Sequence, residues 1–180
     1  YGIGGQTNKY SISITDGAAG AVAGSAAVDG NWQHVAFVIN RTEGWMGVHL
    51  NGVEYTTTST LAVGSIDGTG DIFVGFSSPG TLLDYKGALD DFRVFKSALS
   101  VYEIRAIYRG GFGSKYYGAE AQGGDASVVF EFDEARGTTV NSTILTSEAD
   151  ISGTFSGSGV AFAAGGIPVL ASPSISTIPN

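Results

Sequence analysis

Three acidic residues crowd into Glu131-Phe132-Asp133-Glu134. In an extended chain Glu131 and Asp133 fall on one face, a carboxylate pair able to do acid and base work on a glycosidic bond. The plainer reading is a strand edge whose acids are solvated or bind a turn. His34 and His49 are the only histidines and cysteine is absent, so no His/Cys metal set can be assembled; each histidine reads as a structural residue on a strand. No serine sits in a nucleophile elbow. Asp67-Gly68-Thr69-Gly70-Asp71 lacks the spacing of an EF-hand loop and reads as a turn. The glycine runs at Gly2–Gly5 and Gly110–Gly113 do not join a strand to a helix as phosphate cradles do, and they too read as turns. Aromatic rings offer a different chemistry. Trp45, with Tyr116 and Tyr117, could present faces on which a sugar stacks, whereas Trp32, at the start of a strand, reads as a core plug. Asn40-Arg41-Thr42 and Asn141-Ser142-Thr143 fit the glycan-acceptor pattern.

The frame that must position these residues is bounded by composition. The chain has 180 residues, 43% hydrophobic and only 14% charged, with 28 glycines. That mixture suits many short strands joined by tight turns, in a chain long enough to bury a core without staples. A formal net charge of −8 argues against nucleic acid and anionic membranes as partners. No apolar run approaches the roughly 20 residues that span a bilayer. Tyr1-Gly2-Ile3 does not read as a signal peptide, and the absent initiator methionine implies processing or a fragment.

Strand patterns come early. Lys9–Ile14 alternates and turns at Asp16-Gly17; Trp32–Ile39 puts Val35, Phe37 and Ile39 on one face, and both faces are apolar enough for a central strand. Trp45–Leu50 and Val53–Tyr55 flank Asn51-Gly52, a strong hairpin signal. Asp71–Phe76, Ala88–Phe95 and Ser127–Phe132 follow as strands, with weaker ones near Gly153–Phe155 and Val160–Phe162. Ser100 and Glu103 form a capping box ahead of a short helix carrying Val101, Ile104, Ile107 and Tyr108 and ending at Gly110-Gly111. Residues 110–124 read as a linker, and the proline-bearing tail from Ile167 as extended or edge structure.

In combination and order, several segments resemble the laminin-G-like, concanavalin A-like jelly-roll superfamily. They are Asp29-Gly30-Asn31-Trp32-Gln33-His34-Val35-Ala36, Val48-His49-Leu50-Asn51-Gly52, Gly87–Phe95, Ala98-Leu99-Ser100 and Glu103-Ile104. The likeness covers residues 1–109. It implies an all-β antiparallel sandwich of jelly-roll type with one short helix. Phe132-Asp133-Glu134 with Gly137-Thr138-Thr139-Val140 is similar to the family's opening strand, yet it lies downstream of the part it should precede. Residues 125–180 therefore look like strands that complete a sandwich. Three arrangements are open: a piece cut from a tandem array, a circular permutation closing its own sheets, or strand exchange with a neighbour. Permutation and exchange are preferred to the cut piece. Exchange would propagate into rings or filaments.

The resemblance also bears on function. Jelly-roll glucanases carry Glu-x-Asp-x-x-Glu, and the third carboxylate would fall at Arg136, so no catalytic set is complete and an enzyme is not expected. Related jelly rolls hold calcium at the sandwich edge. By likeness Asp90 or Asp91, with Asp133 or Glu134, would be the ligands; Asp90 and Asp91 could instead serve local backbone and Arg93. The expected function is a non-catalytic structural or adhesive module outside a cell or on a virion surface, with copies of itself or neighbouring jelly rolls as partners. The alternative is a calcium-dependent carbohydrate-binding module.

Overall fold

The computed structural model describes residues 2–6, 9–67, 72–74, 87–110, 126–130, 132, 139–141, 152–155, 160–162, 168–170 and 175–178. Every strand pairing among them is antiparallel. With a single helix among the described residues beside these strands, the fold is an all-β jelly roll. The chain divides into two compact units, residues 1–68 with 97–111, and residues 69–96 with 112–180.

In the first unit, β1 (Gly2–Gln6), β2 (Lys9–Thr15) and β3 (Gly20–Ala27) make one sheet; β4 (Val35–Asn40), β5 (Trp45–Leu50) and β6 (Val53–Ser59) make the other. Ile12 and Ile14 from β2, Ala21 and Ala23 from β3, and Met46 and Val48 from β5 are buried together, with Val35, Phe37 and Ile39 of β4 packed against them. In β2 and β4 the alternation read from the sequence is thus realised: Ile12 and Ile14, and Val35, Phe37 and Ile39, share the core face, and the residues between them take the other. β5 rather than β4 is the middle strand of its sheet. One expectation is corrected. The Gly2–Gly5 run is a strand, not a turn, because its backbone pairs residue by residue with β2. The Gly/Ala-rich stretch after Asp16-Gly17 is also a strand, β3.

Asn51 and Gly52 both have positive φ, 52° and 75°, as the two-residue hairpin between β5 and β6 requires. Helix α1 (Val101–Gly110) starts at the capping box: the Glu103 amide donates to Ser100 Oγ at 3.3 Å and the Ser100 amide to Glu103 Oε2 at 2.7 Å. The helix lies on that hairpin, with Arg105 and Tyr108 against Gly52.

The turn between β2 and β3 is tied to the segment after β6 by Asp16. Its carboxylate accepts from the amides of Ala18, Ala19 and Gly64 at 2.8, 2.7 and 2.6 Å. These donors hold its pKa at about 2, against an ordinary 3.8. A depressed carboxylate pKa contributes stability above the unfolded value and loses it as pH falls through the folded one, so this tie is expected to fail between about pH 4 and about pH 2. A carbon-detected titration of Asp16 should show the midpoint near 2; one near 3.8 would mean the three amides are not held.

His49 is 1% exposed, and neither ring nitrogen has a hydrogen-bond partner among the described residues. It lies between Ala36 of β4 and Glu54 of β6 on the outward face of β5. Burial holds the imidazole below its ordinary 6.5, and the Glu54 carboxylate pulls weakly the other way. The unfolded chain then takes up a proton that the folded one refuses, so stability should decline as pH falls from 6.5 toward the folded value. His49→Leu should flatten that decline in urea melts run from about pH 7 to about pH 5; an unchanged slope would assign it elsewhere.

In the second unit β9 (Phe92–Phe95) pairs with β10 (Ala126–Phe130). β11 (Thr139–Asn141), β12 (Ser152–Phe155), β15 (Ile175–Ile178) and β7 (Ile72–Val74) form a sheet in that order, and β13 (Val160–Phe162), β14 (Pro168–Leu170) and β8 (Gly87–Ala88) form another. The tail expected as extended or edge structure is extended where described, supplying β14 and β15, and each of these is flanked by strands on both sides rather than at an edge. The single strand expected over Ala88–Phe95 is two, separated at Asp91, whose φ is 51°. Of the 110–124 linker, only Gly110, the last residue of α1, is described.

Candidate functional site

Outward-facing residues of the β4–β5 hairpin build a small polar and aromatic surface. Asn40 ends β4 and its carbonyl accepts from the Gly44 amide at 2.9 Å, closing the turn. Its side chain clamps Glu43 twice: Oδ1 accepts from the Glu43 amide at 3.0 Å, and Nδ2 donates to Glu43 Oε2 at 3.1 Å. That oxygen also accepts the indole N–H of Trp45 at 2.7 Å. The amide of the Asn40-Arg41-Thr42 acceptor pattern is therefore engaged in holding this turn.

Two residues along the same face, Gly47 has no side chain to displace the indole. Trp45 Cζ3 lies 3.5 Å from the place a Cβ of Gly47 would occupy, so the benzo edge leans over the strand. Across the pair on β6, Ser59 stands opposite Trp45 and Thr57 opposite Gly47, both exposed like Glu43 and Glu54. Arg41 is turned away from this surface: Nη1 donates to Thr60 O at 3.1 Å, and Nη2 to Val63 O and Gly64 O at 2.6 and 2.8 Å. The result is a half-buried indole fixed by hydrogen bonds and bordered by a carboxylate and two hydroxyls. Such a surface can stack on the C–H face of a sugar and bond its hydroxyl groups.

Trp32, expected in the core, is 49% exposed. Two residues on, the His34 ring meets Tyr108 of α1 at 5.8 Å, and Tyr108 is itself exposed. Tyr108 was legible only as part of a helical stripe, and its partner on β4 followed from no spacing.

The acids expected as metal ligands are only partly within the described residues. Asp90 Oδ1 accepts from the Asp91 amide at 3.1 Å, and Asp91 Oδ1 pairs with Arg93 Nη2 at 3.3 Å. A cation bound by Asp91 would compete with that guanidinium. Asp133 and Glu134 lie outside the described residues, as do Tyr116, Tyr117 and Glu131. Among the described residues, no three His, Asp or Glu side chains group closely enough to hold a metal. The extended run expected to align Glu131 and Asp133 ends at Phe130, and Phe132 has φ 58°, outside the range of a strand.

The antiparallel sheets and the capped helix define an all-β jelly roll. A family model of the concanavalin A-like lectin/glucanases superfamily, Laminin_G_3, matches residues 2–105, more than half of the chain. The chain belongs to this laminin G-like family. Neither the comparison with curated proteins nor that with solved structures finds a match.

Proposed function

We propose that this chain is a non-catalytic adhesive module that binds carbohydrate, displayed outside a cell, on a cell surface or on a virion. The observation that carries the reading is the fixed indole of Trp45 with Glu43, Thr57 and Ser59 around it. Membership of a lectin/glucanase superfamily supports it. A binding surface needs rigid aromatic area and a few placed polar groups, and the Asn40–Glu43–Trp45 chain of hydrogen bonds supplies both without ordering costs on contact.

The test is an array of immobilised glycans read with and without EDTA. Saturable binding should fall by about tenfold or more in Trp45→Ala, the loss of one well-stacked aromatic contact. Circular dichroism would check that the variant keeps the wild-type fold. Loss in EDTA would add calcium held by Asp90, Asp91, Asp133 and Glu134 to the mechanism; retention would remove it. Binding lost in Trp32→Ala but kept in Trp45→Ala would move the site to the helix end of the sheet.

A second reading rests on the pairing of β7, β8 and β9 with strands that come after residue 125. The same pairings made with a neighbouring copy would link molecules into a polymer. Light scattering separates the cases: a particle near 18.4 kDa means the strands close within one chain, and rings or filaments mean they are donated.

A further inference from the structure

We infer that the Trp45 surface selects uncharged sugars and rejects acidic ones, an inference that rests on the carbohydrate-binding reading above. Glu43 is exposed, and one of its oxygens, Oε2, accepts two hydrogen bonds, from Trp45 Nε1 and Asn40 Nδ2. Its partner Oε1 is the acceptor left for a ligand, and it can take a sugar hydroxyl but not a second carboxylate or a sulfate.

The nearby cation does not offset this. Arg41 is the only lysine or arginine between Lys9 and Lys86. Its two terminal nitrogens are directed at the carbonyls of Thr60, Val63 and Gly64, so a bidentate grip on an anionic sugar is not available from it. Glu54, exposed on the same face of the neighbouring strand, adds a second negative charge. The rest of the chain does the same at longer range, with a formal net charge of −8. The hydroxyls of Thr57 and Ser59 complete a border suited to a neutral pyranose.

The experiment titrates the wild-type protein with neutral oligosaccharides (cellohexaose, mannohexaose and a β-galactan fragment) and with two acidic ones (an oligogalacturonate and a heparin fragment), at low and high salt. Expected are binding of at least one neutral ligand with little response to salt, and no measurable binding of either acidic one. Glu43→Gln keeps an acceptor for the indole; it should weaken the neutral ligand by only about threefold and make acidic ligands measurable at low salt. Tighter wild-type binding of an acidic ligand, lost in Trp45→Ala, would overturn the selectivity while leaving the carbohydrate site in place. Unaltered selectivity in Glu43→Gln would also overturn it. Binding indifferent to Trp45→Ala, or no binding of any glycan, would remove the underlying reading together with this one.

Discussion

Replacing Phe130 with alanine should cost the second unit about 3–5 kcal/mol, the largest loss expected from any single side chain described. Phe130 is 2% exposed, stacks on Phe92 across the β9–β10 pair at 6.2 Å and 19°, and meets Phe132 at 6.1 Å and 41°. Val128 and Val129 beside it are buried as well, so the hole left by the ring has little freedom to collapse. Of the total, about 0.5–1.5 kcal/mol should belong to the ring pairs themselves. A double-mutant cycle with Phe92→Ala isolates that part. Urea melts of Phe130→Ala are the direct check, and a loss below about 1 kcal/mol would mean the three rings do not pack as a unit.

The second large effect is expected at Gly52. Its φ of 75° excludes a β-branched residue almost entirely, and a Cβ there would meet Tyr108 Cδ1 at 3.0 Å and the Arg105 Cα at 3.3 Å. The second contact is backbone, so the helix itself would have to move. Gly52→Val should therefore cost about 3 kcal/mol, the sum of about 1–2 for the left-handed backbone and about 1–3 for overpacking. Gly30 provides the control: its φ is 80°, but nothing lies within 4 Å of its Cβ position, and Gly30→Ala should show only the backbone cost of about 1 kcal/mol. Equal costs at both positions would mean that α1 does not rest on the hairpin.

Gly52 is also an instance of what was readable beforehand. Asn51-Gly52 between alternating strands, and Ser100 three residues before Glu103, are local codes, and the structure carries both out. β3 was not readable, because its pattern is inverted in size: Ala21 and Ala23 point inward and are buried, while the larger Val22 is 55% exposed. Strand propensity follows the packed neighbours more than the residue, so an alanine-glycine strand is visible only through its partner β2. The break at Asp91 was hidden for a related reason. A lone aspartate in the left-handed region is sterically permitted, and nothing local distinguishes it from an aspartate within a strand.

The site shows the same division. Trp45 could be singled out by its chemistry, as a ring able to stack. What makes it a fixed ring is the turn that brings Asn40 and Glu43 beneath its nitrogen, together with an absent side chain at Gly47; both depend on the hairpin's geometry rather than on spacing. Trp32 was misplaced because a tryptophan at the start of a strand is usually covered, and here it stands half in solvent.

The pairing of β7 with β15 has a consequence for how the molecule is made. Roughly a hundred residues separate the two strands, and every one must leave the ribosome before they can meet. β1 to β6 pair only with strands adjacent in the chain and can assemble during translation. Ile72–Val74 and Phe92–Phe95 emerge long before their partners and must wait with their backbone groups unpaired. That interval is when a chaperone, or a second nascent chain on the same message, would find them, and slowing synthesis over residues 96–175 should lengthen it.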